Sequence, residues 1–394
     1  VSAASDRLAA TRTILDRLVG FDTTSRHSNL ALIDWVRDFL AQRGVASILA
    51  PSPEGDKANL IALIGPPVEG GVALSGHTDV VPVDGQPWTS DPFSVREAEG
   101  RLYGRGVADM KTFLALSLAH VDAALAAPLR RPLILAMSYD EEVGCIGVRG
   151  LIEALPDVVP RPACVIVGEP TEMRCVSGHK GIRTYTVEVT GVEAHSSQTQ
   201  QGASAIMAAL PLMQLIADMA QEAKSRAAGD SLFTPAYTTM TIGRIEGGTA
   251  VNILARRCWF QCDLRSAPED PPEPYEARLF ALAAEIDAGL KRVNPEAGVV
   301  VTRRSGTPPL SPALDSPAER LVRSLTGDNG VQAVAFAAEA GQFQRAGYPT
   351  VICGPGSIAQ AHQPDEWIAI EQLDAGVTFM ERLIARLSLP DQIS

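Results

Sequence analysis

The sequence predicts an α/β protein: a mixed, largely parallel sheet flanked by helices, interrupted by an inserted α+β domain of order β-α-β-β-α-β. Three observations carry that prediction. Up to about residue 178, short apolar runs bounded by Gly or Pro alternate with helical stretches. Between residues 180 and 307 the strands change to an alternating apolar-polar style, and after residue 308 the first style returns. Strands alternating with helices imply parallel pairing, and a return to the earlier style implies that one domain is inserted into another.

The chain opens with SDRLAATRTILDRLVGF, where Ile14, Leu15, Leu18 and Val19 share a face among Asp6, Arg7, Arg12, Asp16 and Arg17. This reads as an amphipathic surface helix, because a signal peptide needs an uninterrupted apolar core. GVALSG, RPLILAMSY and PACVIVG are too short for helices and read as buried strands. DMKTFLALSLAHVDAAL and VRGLIEAL read as the helices between them. These elements make residues 1–179 the first part of the outer domain.

In residues 180–307, TYTVEVTG alternates like a half-exposed strand and SAIMAALPLMQLIADMAQEA is a long helix. TTMTIGRI and NILARRCWFQCDLR follow as strands, APEDPPEP as a loop, a helix from about Pro274 to Leu290, and the strand GVVVTRR. That order can close a small sheet with two helices on one face. Residues 308–394 complete the outer domain with a helix around AERLVRSL, the strand PTVICG and a final helix near EQLDAGVTFMERLIARL.

Composition excludes some functions. The 394 residues are 46% hydrophobic and 20% charged, which is ordinary for a globular protein. A formal charge of −12 argues against nucleic acid as a partner, since phosphate binding needs a basic surface. No apolar run approaches the ~20 residues that span a bilayer, so no membrane partner is expected. The six cysteines are scattered without a C-x-x-C pair, and Cys258 and Cys262 share one strand face as buried thiols. A cytoplasmic, disulfide-free protein is expected.

The chemistry gathers at strand ends. His77 and Asp79 follow GVALSG; Asp140, Glu141 and Glu142 follow RPLILAMSY; Glu169 follows PACVIVG; His362 follows PTVICG. In open α/β sheets the carboxyl edge is where ligands bind. Asp109, in the Gly-rich entry YGRGVADMK, joins them. Imidazole and carboxylate together suit a zinc-like ion without any thiolate. Five ligands exceed one tetrahedral ion, whereas two ions ~3.5–4 Å apart with a shared carboxylate would use all five. In extended chain Asp79 faces the same way as His77 and can accept a hydrogen bond from its ring. Of the adjacent Glu141 and Glu142, one can bind metal while the other serves as general base, and spacing does not say which. His27 and His120 read as structural or exposed.

The motifs G-H-T-D-V-V-P, G-R-G-x-x-D-M-K, D-E-E-x-G, G-E-P-T and A-H-x-P-D-E, in this order, resemble the dinuclear zinc aminoacylase/carboxypeptidase family of metallopeptidases. The resemblance implies that Asp109 bridges two zinc ions; by ligand chemistry cobalt would satisfy the same side chains. His77 and Glu169 would complete one site, Glu142 and His362 the other, with Glu141 as general base and Asp79 orienting His77. WTSDPF, RLYGRGVADMKTFLA, GEPTEM, HKG and AAEAGQFQ near Glu339 resemble the acetylornithine deacetylase branch. That branch implies removal of acetate from N2-acetyl-L-ornithine in arginine biosynthesis; its relatives include succinyl-diaminopimelate desuccinylases, aminoacylases and carboxypeptidases. The inserted segment resembles the family's lid and dimerisation domain, which implies a homodimer. There His195 would polarise the scissile carbonyl, and Asn252 and Arg265 would grip the α-carboxylate of a small N-acyl amino acid.

Overall fold

The computed structural model describes residues 3–227, 229–313 and 315–390; residues 1–2 and 391–394, the ends of the expected outer domain, lie outside the described residues. The chain divides into two compact units. Unit 1 is Val1–Gly178, Pro312–Gln332 and Ala338–Ser394; unit 2 is His179–Ser311 and Ala333–Ala337.

In chain order the elements begin with α1 (Ala3–Val19), α2 (Leu30–Ala41), β1 (Ser47–Pro51), β2 (Ala58–Ile64), β3 (Val72–His77), β4 (Arg96–Ala98) and β5 (Arg101–Tyr103). Then come α3 (Lys111–Ala119), α4 (Val121–Ala126), β6 (Leu133–Ser138), α5 (Val148–Val158), β7 (Cys164–Val167) and β8 (Val176–His179). Unit 2 contributes β9 (Gly181–Thr190), α6 (Ala205–Ser225), β10 (Thr239–Gly247), β11 (Arg257–Ser266), α7 (Glu273–Val293) and β12 (Gly298–Thr307). The chain closes with α8 (Pro317–Thr326), β13 (Gln332–Val334), α9 (Ala340–Arg345), β14 (Thr350–Ile352), β15 (Trp367–Ala369) and α10 (Ile370–Leu387).

The large sheet runs β1-β2-β6-β3-β7-β14-β8-β13. β3 pairs in parallel with β6 and β7, and β14 with β7, while β2 joins antiparallel. β3, β6, β7 and β14 are buried along their whole length. Helices therefore cover both faces, which is why these strands read as continuous apolar runs rather than as alternation. Residues from α1, α2, α3, α8 and α10 close the core over them, among them Leu15, Leu18, Phe113, Leu116, Leu321 and Phe379. Parallel pairing matters for function because it aligns strand ends: His77 sits beside Ser138, Ser75 beside Val167, and Val167 beside Ile352.

Two elements differ from expectation. The helix expected over residues 109–125 is two helices, α3 and α4, broken at buried His120. The His120 ring places Nδ1 2.8 Å from the Leu116 carbonyl, the acceptor its own amide would use in a continuing helix, and that amide turns to Leu118 instead. The strand expected from Asn252 starts only at Arg257, because Ile253 forms an isolated bridge to His195.

Unit 2 is an antiparallel sheet of order β10-β11-β9-β12. Alternate residues Val187, Val189, Cys258, Phe260, Cys262 and Leu264 are buried with Leu212, Ile216 and Met219 of α6 and Tyr275, Leu279 and Ala283 of α7. The period of two in the sequence is the signature of a sheet covered on one face. Ser204 caps α6, accepting from the Met207 amide.

Candidate metal centre

His77 is the last residue of β3, and its ring is fully buried. Nδ1 donates to the Asp79 carbonyl at 2.9 Å, which turns Nε2 towards Asp109 Oδ1 at 3.0 Å and Glu169 Oε1 at 3.7 Å. Asp109 Oδ2 faces His362 Nε2 at 3.3 Å, and His362 Nε2 lies 3.0 Å from Glu142 Oε2. Asp109 thus stands between two histidines far apart in sequence, with one oxygen for each. Ligand atoms of His77, Glu141 and Glu169, and those of His77, Asp109 and Glu142, fall within 4.8 Å of one another in each group.

The donor set fits divalent metal. Four carboxyl groups and two imidazoles share the space, an excess of negative charge suited to hard or borderline cations. Burial makes the three glutamates resist ionisation, whereas bonds to His362 and His77 hold Asp109 below the usual carboxylate range against its own burial. Burial, followed by the charges of its acidic neighbours, pushes Glu141 up to about 8, against the opposing pull of His77. Burial and Asp109 push Glu142 to about 7, and burial raises Glu169 well above the carboxylate range. The imidazoles move the same way: hydrogen bonds to Asp109 and Glu142 hold His362 at about 10. His77 is raised well above its usual value, against burial, by its bond to Asp109 and the charge of Glu169. Among the described residues, buried Glu169 Oε1 has no hydrogen-bond donor, as expected of an oxygen that would bind metal.

Asp79 differs from expectation. Its carboxylate stands 3.7 Å from the His77 ring, and the ring bonds to its main-chain carbonyl instead. The carboxylate accepts from Ser25 Oγ at 2.7 Å and from the amides of Glu141 at 3.1 Å and Glu142 at 3.2 Å. Asp79 therefore holds the ring through its backbone and the Glu141-Glu142 turn through its side chain. Asp140 points elsewhere, paired with Lys57 Nζ at 2.5 Å. Glu142 turns to His362, while Glu141 Oε1 accepts from Cys145 Sγ at 3.1 Å.

Of the unit 2 candidates, His195 has an exposed ring with Nδ1 2.8 Å from Ser197 Oγ, and Asn252 lies nearby, its carbonyl accepting from the Ser196 amide at 2.9 Å. Arg265 is half-buried on β11, its Nε donating to Asp263 at 2.9 Å.

Several supporting residues carry no assignment from sequence. Buried Glu339 accepts from Ser75 and Ser138, at 2.5 and 2.7 Å, tying β3 to β6 just before both acidic turns. Buried Glu366 and Arg105, with half-buried Gln86, form a second network beside Asp109. The available signal was charge in apolar or Gly-rich context: an Arg between glycines in YGRG and a second acid in HQPDE.

The profile of peptidase family M20/M25/M40 matches residues 73–386. The chain belongs to this family. An acetylornithine deacetylase from Myxococcus xanthus is 35% identical over 387 residues, covering 97% of this chain and 98% of that protein. One from Proteus mirabilis is 32% identical, covering 94% and 93%. Among solved structures, a Staphylococcus aureus tripeptidase superposes with a TM-score of 0.73 at 18% identity, covering 97% and 98% of the two chains. A dinuclear metal-binding M20 peptidase from Bacillus subtilis gives 0.63 at 16%, covering 97% and 99%. Membership makes the chain a metal-dependent amidohydrolase, and the acid-histidine cluster of unit 1 is where a divalent ion fits.

Proposed function

We propose that the chain hydrolyses the acetyl amide of N2-acetyl-L-ornithine, releasing acetate and L-ornithine, with two zinc ions held by His77, Asp109, Glu142, Glu169 and His362. The observation that carries the metal assignment is Asp109, whose two oxygens each face a different histidine. The substrate assignment is supported by relatives named acetylornithine deacetylase over nearly the full length. When bound, such ions supply Lewis acidity, which brings the pKa of water from ~15.7 to ~7.

The chain's own residues do the rest. Glu141 takes the proton from the attacking water and passes it to the leaving amine, a role worth ~10²–10⁴-fold. Asp79 holds the Glu141 and Glu142 amides, fixing where both carboxyl groups sit. His195 polarises the scissile carbonyl in this reading, and the planar fork of Arg265, with Asn252, holds the α-carboxylate. The family resemblance also supports a homodimer through unit 2 and a cytoplasmic setting.

The test is a substrate panel on metal-reconstituted protein. Acetylornithine should exceed succinyl-diaminopimelate, N-acylated hydrophobic amino acids and dipeptides in kcat/KM. Preference for any of those by tenfold or more would reassign the substrate while leaving the metal chemistry standing.

A further inference from the structure

The opening turn of unit 1's chemistry, GHTDVVPVDGQPWTSDPF, supplies more than His77. Gln86 within it donates through Nε2 to the His362 carbonyl at 2.9 Å and accepts through Oε1 from Arg105 at 2.5 Å and Trp88 Nε1 at 3.0 Å. Thr89 adds two bonds to Asp365 Oδ1, from its amide at 2.9 Å and its hydroxyl at 3.0 Å. Arg105 is 1% exposed, lies over the Trp88 ring at 5.1 Å, and donates to Glu366 Oε2 at 2.7 Å.

Glu366, also 1% exposed, is the centre of this network. Its Oε1 accepts main-chain N–H from Gly106 at 3.1 Å, Ala108 at 2.8 Å and Asp109 at 3.1 Å. One carboxylate therefore shapes the whole turn that presents Asp109. Its guanidinium partner reaches, through one amide side chain, the main chain of His362. That backbone sits at φ 63°, in the left-handed region that a non-glycine residue occupies only when its surroundings hold it there. The bonds by which this network meets Asp109 and His362 go to main chain: Glu366 to the Gly106, Ala108 and Asp109 amides, and Gln86 to the His362 carbonyl.

We propose that Glu366 is the positioning residue of the metal centre, holding Asp109 directly and His362 through Arg105 and Gln86, so that both present their ligand atoms in register. The inference rests on the metal assignment above. It separates two effects. Gln86 is the link that bonds the His362 carbonyl, so its loss bears on the ion that His362 serves. Glu366 touches the Asp109 turn as well, so its loss affects both ions, because Asp109 is shared. Partners of this kind outside the ligand set typically govern about 10–100-fold in metal affinity.

The experiment is cobalt(II) titration of the full-length apo chain, followed by calorimetry and visible absorption, for wild type, Gln86→Ala and Glu366→Gln. Wild type should take up two ions. Gln86→Ala should bind one of them about 10–100-fold more weakly and the other normally, and Glu366→Gln should weaken both. Melting in excess chelator guards against a purely structural effect: apo Gln86→Ala should melt with apo wild type, while its cobalt-induced rise shrinks. Wild-type affinities for both ions in Gln86→Ala would overturn the proposal, even if Glu366→Gln failed to fold. So would an equal loss of melting temperature with and without chelator. A wild-type chain that takes up no cobalt would instead remove the metal assignment beneath it.

Discussion

At the scale of single residues, the adjacent Glu141 and Glu142 show how one turn can serve two tasks. Their amides share the Asp79 carboxylate, yet Glu142 turns to His362 while Glu141 meets the Cys145 thiol. Glu141→Gln keeps the shape and removes the base. It should retain metal content measured by atomic emission and lose about 10²–10⁴-fold in kcat. Parallel loss of metal and turnover would exchange the roles of the two glutamates. His179 poses a separate question of pH. Burial holds its imidazole down at about 4, against a ring bond to the Lys180 carbonyl. The unfolded chain, with an ordinary histidine near 6.5, then binds more protons between those values. Stability therefore falls as pH drops from about 6.5 towards 4. Replacing His179 with Gln should flatten that slope in urea melts, whereas an unchanged slope would assign it to other groups.

At the scale of elements, the site depends on how closely α3 and the loop after β14 approach the end of β7. Gly168, one residue before Glu169, has no room for a side chain: a Cβ there would lie 2.0 Å from the Phe113 ring. Gly354, after β14, would meet the Gly168 carbonyl at 2.0 Å. Both positions are about space rather than backbone freedom. Overpacking of this kind costs about 1–3 kcal/mol, so Gly168→Ala should lower stability by that amount in urea unfolding. Because the displaced strand end carries Glu169, metal affinity should fall as well. A variant with wild-type stability would show that Phe113 can swing aside.

At the scale of the whole molecule, two cores are built separately, one around the large sheet and one around the four-stranded sheet. All five proposed ligands and the base belong to unit 1. Chelation should therefore lower one calorimetric transition and leave the other in place. Each ion at a hundred times its Kd contributes about 2.7 kcal/mol to the unit that binds it. Equal shifts in both transitions would mean that the units unfold together. The sequence by itself determined a good deal of this protein. Apolar runs without alternation marked β3, β6 and β7, alternation marked β9 and β11, and strand-end acids and histidines marked the cluster, because burial and strand period leave local traces. It did not show the antiparallel β2, the break at His120, or the carbonyl rather than the carboxylate of Asp79 as the partner of His77. Nor did it show why Glu366, Arg105 and Glu339 are charged. Those depend on which groups meet across long chain separations. A buried charge is tolerable only when its partners are in place, and only the tertiary structure brings Ser75 to Glu339 or Gly106 to Glu366.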